Sequence, residues 1–219
     1  MPNINKDTAI YGSFSQKPGN LGCLRFNKSF EKYGINAIYK SFYIQDIKEA
    51  VSAAKTLGFS GFAVSAPFKI QIIPLLDSVS KIACDCGSVN TVLVENGVTY
   101  GTNTDILAIK KYIKKLCPDI SEMTILGNGG YAQSALYAAK ELGIKTHQIT
   151  RHNWQEIGSR FYEAVFNCTP LFSSELPSFT TKHFINCDTE SDSGKTLSYF
   201  QADCQFKIYT HTNHELCQE

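Results

Sequence analysis

The sequence predicts an α/β protein, and three observations support this fold class. Short apolar strand segments alternate with longer helix segments along the chain, a pattern typical of a parallel sheet with helices on its faces. A glycine-rich turn lies between a strand and a helix in the second half of the sequence. The 219 residues are 43% hydrophobic, which is enough for one compact domain or for two small domains that share a boundary.

The first half of the chain contains three predicted strands and two predicted helices. In order, these segments are the strand TAIYG, the helix LRFNKSFEKYG, the strand NAIYKSFYI, the helix DIKEAVSAAKTLG and the strand GFAVSA. Gly34 and Gly58 are typical of helix ends, and Asp46 is typical of a helix start. β-Branched and aromatic residues favour the strand assignments.

A proline ends the third predicted strand. Pro67 has no backbone N–H, so the chain leaves the sheet there and presents Phe68 and Lys69 at the carboxyl edge. Ligands of open α/β sheets bind at this edge. Lys69 is therefore a candidate site residue; the alternative is a solvated lysine at the start of a helix.

The middle of the chain contains a predicted hairpin and a predicted helix. Asn96-Gly97 between two apolar segments is a strong signal for a tight hairpin. Apolar residues then recur at helical spacing from Ile106 to Leu116. Thr104 and Asp105 precede this pattern, and either is also a suitable helix cap.

The segment EMTILGNGGYAQSALYAAKELG reads as strand, glycine turn and helix. Gly127, Gly129 and Ala132 match G-x-G-x-x-A in the strand-to-helix context that a Rossmann-type dinucleotide site requires. Glycines allow the backbone to approach a pyrophosphate, whose charge is favoured by the N–H groups at a helix start. The alternative is a purely structural glycine turn.

The next predicted strand, KTHQIT, ends in Arg151 where an NAD-binding unit carries an acidic residue. An arginine at this position suits the 2′-phosphate of NADP, so NADP is favoured over NAD; the alternative is an ordinary surface arginine. The segments EAVFNCTP and HFINC predict two further strands, the first with Thr169 at its carboxyl end. A polar turn and a helix from about Thr196 into Phe206 follow.

Composition narrows the range of partners. Lysine and arginine number 21 against 20 acidic residues, so no broad field attracts nucleic acid or an anionic membrane. No segment approaches the length needed to cross a bilayer, and a cytoplasmic location is expected. The eight cysteines are scattered, which favours reduced thiols. The C-x-C spacing of Cys84 and Cys86 is weak evidence for a metal, so we expect no metal site.

Seven motifs in order carry a family resemblance: KPGNLGCLRFN, NAIYKSFYIQDI, AVSAPFK, SVNT, GTNTD, GNGGYAQSA and FQADCQFKIYTH. The chain resembles the shikimate dehydrogenase family, most closely its shikimate dehydrogenase-like branch. The resemblance implies a substrate-binding catalytic domain at residues 1–104, completed by a C-terminal helix within residues 196–219. It implies a shortened Rossmann-type NADP-binding domain at residues 105–195. The implied reaction is reversible oxidation of the alcohol of shikimate, quinate or a related cyclic hydroxy acid to a ketone.

The resemblance also implies roles for individual residues. Lys69 and Asp105 match the paired lysine and aspartate that approach the reacting hydroxyl. The positions that match substrate-binding residues are Asn20, Ser65, Asn90 and Gln201. Those that match cofactor-binding residues are Gly127, Asn128, Gly129, Gly130, Tyr131, Ala132, Arg151 and Thr169. Asn20 lies in NLGC, where the ordinary enzyme has two serines for the substrate carboxylate, so weaker carboxylate binding or a different substrate is expected.

The interval between Cys187 and Thr196 departs from the family. It holds only DTESDSGK, where the family has a strand, a helix and the glycine segment that contacts nicotinamide. Two function classes follow. One is an NADP-dependent dehydrogenase, slow or altered in its substrate; the other is a pseudoenzyme that binds a shikimate-like acid or a nucleotide without turnover. In either case the expected partner is a small molecule, and the chain is expected to be a monomer or a homodimer.

Overall fold

The computed structural model describes residues 4–218. The chain divides into two compact units. One unit runs to Thr104 and resumes at Ala202, and the other consists of Asp105–Gln201. The second unit is therefore inserted in sequence between two parts of the first.

The first unit is a sheet with helices. Its strands are β1 (Ala9–Ser15), β2 (Ala37–Tyr43), β3 (Phe59–Val64), β4 (Ser78–Val79), β5 (Thr91–Glu95) and β6 (Val98–Thr102). Its helices are α1 (Leu21–Lys32), α2 (Ile47–Thr56), α3 (Phe68–Gln71) and α4 (Lys81–Cys86), with a 3₁₀ turn at Ile73–Leu75. The three strands and two helices predicted for the first half are all present, and the Asp46 carboxylate caps α2 by accepting from Lys48 N at 2.7 Å and Glu49 N at 3.0 Å.

The sheet of this unit is mixed, whereas the alternation of elements predicted a parallel one. The strand order is β2-β1-β3-β5-β6-β4. β1 is parallel to β2 and β3, but β5 is antiparallel to both β3 and β6. The predicted hairpin explains the antiparallel pairing of β5 with β6: Asn96 and Gly97 have φ of 51° and 77°, and this tight turn joins the two strands directly without a crossover helix.

The end of the chain completes the core of the first unit. Phe206 and Tyr209 are buried, and Phe206 packs edge-on against Phe26 of α1 at 5.8 Å between ring centroids. A Cβ on Gly61 in β3 would lie 2.8 Å from the Tyr209 ring. Glycine is therefore required at position 61 so that this ring can lie directly on the sheet.

The second unit is a parallel sheet with helices. Its strands are β7 (Glu122–Leu126), β8 (Lys145–Ile149), β9 (Phe161–Asn167) and β10 (Thr180–Asn186), in the order β10-β9-β7-β8. Its helices are α5 (Thr104–Leu116), α6 (Gly130–Glu141) and α7 (Asp192–Thr210), with 3₁₀ turns at Trp154–Glu156 and Ser173–Glu175. α5 begins on the last residue of the first unit, and α7 ends within that unit.

The start of the last helix differs from the sequence prediction. The expected start was about Thr196, but α7 begins at Asp192, and only residues 187–191 separate it from β10. Ser191 Oγ accepts from Gly194 N at 3.0 Å, which is a side-chain cap on the first turn. A Cβ on Gly194 would overlap the Asp188 carbonyl oxygen, so Gly194 serves close packing within that turn.

The described residues contain neither a membrane-spanning helix nor a cluster of metal ligands. Across residues 4–218 there is no helix long and apolar enough to cross a membrane. The same residues contain no group of three or more histidine, cysteine, aspartate or glutamate side chains that could hold a metal ion.

Candidate active site

Asn90 organises the carboxyl edge of the first sheet. Its backbone accepts from Val64 N at 2.8 Å and donates to the Thr102 carbonyl at 3.2 Å, so it joins β3 to β6. Its side chain is 3% exposed. Asn90 Oδ1 accepts from Thr104 N and Thr91 Oγ1, each at 2.8 Å, and Nδ2 donates to Thr104 Oγ1 at 3.0 Å. The amide thus supports the start of α5, and its Nδ2 retains a second N–H for a ligand.

Gln205 is a buried member of this cluster that the sequence analysis missed. Its Nε2 donates to Thr91 Oγ1 at 2.9 Å and to the Asn90 carbonyl at 3.4 Å. Gln205 lies one turn after the predicted Gln201 on α7, so both side chains lie on the same face of the helix. Helical spacing from Gln201 was the signal that could have revealed it.

The segment after β3 brings Ser65 and Lys69 to the same edge. Ser65 is exposed directly after the last residue of β3, and its N–H donates to the Phe14 carbonyl at 3.1 Å. The chain leaves the sheet at Pro67, as predicted, and Lys69 lies partly exposed in α3. The Lys69 carbonyl accepts from Val89 N at 2.8 Å, which anchors this segment beside Asn90.

Asp105 is the second residue of α5 and is 4% exposed. It belongs to the second unit, whereas Lys69 belongs to the first. The pairing of Lys69 with Asp105 therefore stays a prediction, as does the reach of Gln201, another residue of the second unit, to a substrate.

Asn20 lies at the start of α1. It is exposed, and its side chain makes no capping hydrogen bond to the helix. Ser41 of β2 connects the segment before α1 to β1. Its Oγ donates to the Gly19 carbonyl at 2.8 Å and accepts from Ser13 Oγ at 3.1 Å. Cys23 Sγ accepts from Ser41 N at 3.2 Å. The Asn20 side chain is therefore accessible to solvent at the start of the helix.

The glycine loop between β7 and α6 has the geometry that the motif predicts. Gly127 has φ of 108°, which favours glycine, and its N–H donates to the Ile149 carbonyl at 2.8 Å. Gly129 occupies the position before α6, and no side chain caps that helix. Open space surrounds the position of a Cβ on Gly129. The N–H groups of the first turn are therefore accessible to a phosphate.

Three other predicted residues of the loop have distinct positions. Asn128 is exposed, and Gly130 is the first residue of α6. Ala132 is completely buried, which allows close packing of α6 on the sheet.

Tyr131, in the first turn of α6, packs edge-on against Phe166 with ring centroids 5.9 Å apart. Burial raises the pKa of its hydroxyl well above the usual value, and the charges of Asp105, Cys187 and Cys168 add to this effect. Tyr131 is therefore a neutral phenol at physiological pH.

A pair of asparagines shapes the loop that contains Thr169. Asn167 Oδ1 accepts from Thr169 N at 3.0 Å and from Thr169 Oγ1 at 2.6 Å. Asn167 Nδ2 donates to Asn186 Oδ1 at 3.1 Å and to the Leu171 carbonyl at 2.9 Å. A Cβ on Gly127 would lie 3.3 Å from Thr169 Cγ2, so this loop lies against the glycine loop.

Arg151 is exposed two residues after β8, at the carboxyl edge of the second sheet. Gln148 Nε2 on β8 donates to the Gly127 carbonyl at 2.8 Å. The structure therefore brings Gly127, Thr169 and Arg151 to one edge of this unit, as a nucleotide site requires.

Known proteins are similar to this chain in sequence and in fold. Residues 21–92 match the family model described as the shikimate dehydrogenase substrate binding domain. A shikimate dehydrogenase-like protein of Haemophilus influenzae is 39% identical over 151 residues, and the NADP(+) shikimate dehydrogenase of Aquifex aeolicus is 39% identical over 147 residues. The chain belongs to the shikimate dehydrogenase family. The family resemblance of the sequence motifs is thereby confirmed.

The two alignments cover 68% and 65% of this chain but 56% and 55% of the relatives. The aligned part thus spans about half the length of the curated relatives that it matches.

The structure of a shikimate 5-dehydrogenase-like protein matches with a TM-score of 0.82 at 28% identity, covering 97% of this chain and 95% of that one. The Aquifex aeolicus shikimate dehydrogenase matches with a TM-score of 0.83 at 26% identity, covering 96% of each chain. The predicted α/β fold is confirmed.

Proposed function

We propose that this protein is an NADP-dependent oxidoreductase that interconverts the secondary alcohol of shikimate, quinate or a related cyclic hydroxy acid with the corresponding ketone. The first unit takes the substrate and the second takes the nucleotide. The observation that carries the proposal is the glycine loop before α6, in which Gly127 has φ of 108° and no side chain caps the helix. The relative from Aquifex aeolicus, named as an NADP(+) enzyme, supports the choice of cofactor.

The second unit fits a dinucleotide on its own geometry. The N–H groups of Gly129, Gly130 and Tyr131 at the start of a 12-residue helix favour a pyrophosphate. Arg151 is exposed at the edge that the glycine loop shares with β8, where its guanidinium suits a 2′-phosphate. No acidic side chain occupies positions 150–153 to take the ribose hydroxyls, so NAD is the less suitable cofactor. A bound NADP would supply the acceptor for the hydride from the alcohol carbon.

The chemistry requires a group that removes the hydroxyl proton as the hydride departs from the same carbon. Lys69 supplies an amine on a short helix whose backbone is held beside Asn90, and Asp105 supplies a buried carboxylate. In the proposed mechanism, Asp105 orients the Lys69 amine, and the pair takes the proton from the alcohol oxygen during oxidation. The same pair returns the proton to the ketone oxygen during reduction.

The polar residues of the first unit position the substrate. Asn90 Nδ2 retains one N–H after its bond to Thr104, and Ser65 presents an exposed hydroxyl at the same edge. Gln201 reaches the substrate from α7. Asn20 provides one amide for the carboxylate where the ordinary enzyme has two hydroxyls, so we expect weaker binding of the carboxylate than in the ordinary enzyme.

A pseudoenzyme is the second candidate, and one observation favours it. Residues 187–191 alone connect β10 to α7, so little chain is available there to cover a nicotinamide ring. Poor alignment of reacting atoms can cost about 100-fold in rate. In that case the protein binds a shikimate-like acid or a nucleotide without turnover.

The test is an absorbance assay for reduced nicotinamide with shikimate or quinate and with NADP or NAD. We expect Lys69→Ala to reduce turnover at least about 100-fold while NADP affinity is unchanged, because the amine acts on the substrate proton. Lys48→Ala is the matched control, since Lys48 is exposed on α2.

Turnover that persists in Lys69→Ala would remove Lys69 from the mechanism. A folded wild-type protein that binds NADP but turns over neither acid would support the pseudoenzyme instead.

A further inference from the structure

Cys168 and Cys187 occupy equivalent positions at the ends of two neighbouring parallel strands. Asn167 at the end of β9 pairs with Asn186 at the end of β10. Cys187 N donates to the Asn167 carbonyl at 3.1 Å, which extends the ladder by one residue beyond the strands. This bond belongs to the pair Asn167 and Asn186, and the same register continued by one residue brings Cys187 opposite Cys168.

Residues that face each other on adjacent strands project their side chains to the same side of the sheet. Adjacent strands lie about 4.7–4.9 Å apart, within the range of about 4.4–6.8 Å that disulfides span between Cα atoms. Cys187 Sγ lies 3.8 Å from the carbonyl oxygen of Thr169, the residue after Cys168, so this thiol leans towards the neighbouring segment. Both cysteines are partly exposed thiols in this structure.

We propose that Cys168 and Cys187 are a site of reversible disulfide formation, in which the oxidant is a low-molecular-weight disulfide. One thiolate of the pair attacks a sulfur of the small disulfide and releases one small thiol. The second thiolate attacks the mixed disulfide and releases the other. Two electrons pass from the pair to the small disulfide, and the two protons of the cysteines end on the two small thiols.

Formation of the Cys168–Cys187 disulfide alters the glycine loop of the nucleotide site, because this loop contacts Cys168. This consequence rests on the proposed function. A Cβ on Gly127 would lie 3.3 Å from the Cys168 carbonyl oxygen, so movement of Cys168 towards β10 alters a surface that the glycine loop contacts. Both thiols also raise the pKa of Tyr131 in the first turn of α6, which places them near that residue. Oxidation therefore weakens NADP binding.

The first experiment detects the bond itself. Reduced full-length protein is incubated with glutathione disulfide, remaining thiols are alkylated, and the digest is analysed by mass spectrometry. We expect peptides that contain Cys168 and Cys187 to be linked with the loss of two hydrogens and to separate again in dithiothreitol. Cys168→Ser and Cys187→Ser should each abolish the link and retain glutathione on the remaining cysteine of the pair.

Cys84→Ser is the matched control, because Cys84 is exposed on α4 and should react without affecting the link. Wild-type protein that accumulates only mixed disulfides at these two positions, or that links other cysteines instead, would overturn the proposal.

The second experiment titrates NADP into the reduced and the oxidised protein. We expect the dissociation constant to rise at least about tenfold on oxidation, the size expected for one lost hydrogen bond to a charged group. Equal affinities would refute the effect on the nucleotide site. If neither form binds NADP, the proposed function fails, while the mass measurement still decides whether the disulfide forms.

Discussion

Replacement of Thr104 by valine tests whether the buried cluster around Asn90 holds the first sheet to the start of α5. Thr104 is completely buried, and valine has nearly the same shape. The change removes the acceptor of Asn90 Nδ2 and the contact with Thr91 Oγ1, both at 3.0 Å, while the backbone bond from Thr104 N to Asn90 Oδ1 remains. Asn90 Nδ2 then loses Thr104 Oγ1, the acceptor of its hydrogen bond in this cluster.

A buried amide donor without an acceptor costs about 1–3 kcal/mol. For a chain of this length, each 1 kcal/mol lowers the melting temperature by roughly 2–4 °C, so we expect a fall of about 2–12 °C. Thermal and urea unfolding followed by circular dichroism measure the change. Thr104→Ser retains the hydroxyl and should recover most of the loss.

Thr180→Val is the control for the same chemical change, because Thr180 is exposed on β10. A melting temperature for Thr104→Val that equals that of Thr180→Val would refute the reasoning. The hydroxyl of Thr104 would then contribute nothing to the cluster.

Three further predictions concern single side chains. Gly127→Ala should destabilise the protein by about 1–3 kcal/mol in urea unfolding, because alanine is strained at φ of 108°, whereas Gly129→Ala, with φ of −75°, should leave stability unchanged. Arg151→Ala should raise the dissociation constant of NADP at least about tenfold in calorimetry and leave that of NAD unchanged, and equal weakening of both would exclude a 2′-phosphate contact. Asp77 bonds to Lys55 and Thr99, which lower its pKa. At pH values above the ordinary pKa of 3.8, this interaction stabilises the fold. Its contribution to stability is lost as the pH falls below 3.8 and passes through the lowered pKa of the folded protein. The urea midpoint of Asp77→Asn should therefore lie below that of the wild type at pH 7, and the two should converge in acid; a gap that persists in acid would contradict this assignment.

Features set by neighbouring residues were predictable from the sequence. Asp46 begins α2 because its carboxylate bonds to N–H groups two and three residues later, and Asn96-Gly97 forms a hairpin because both positions adopt positive φ. The glycine loop was predictable for the same reason, since Gly127 has φ of 108° between a strand and a helix.

Features set by distant residues were not predictable. Gln205 joins the Asn90 cluster across 115 residues of sequence; helical spacing places it on the same face as Gln201, but it does not identify Asn90 and Thr91 as its partners. The predicted start of α7 was wrong because DTESDS has the composition of a turn. The Ser191 cap that begins the helix depends on the position of the chain at the end of β10. The antiparallel pairing of β5 with β3 was also not predictable, because the alternation of strands and helices does not determine which strands pair.

The placement of Tyr209 on Gly61 has a consequence for how the protein is made. The ring that covers this part of β3 is encoded 148 positions after the glycine on which it lies. On the ribosome, the strands of the first unit emerge long before Phe206 and Tyr209, so the aromatic face around Phe26 stays uncovered until α7 has been synthesised. The inserted unit, by contrast, is contiguous in sequence and has all four of its strands before that point. The second unit is thus able to fold during synthesis, whereas the first reaches its native packing only after α7 has emerged from the ribosome.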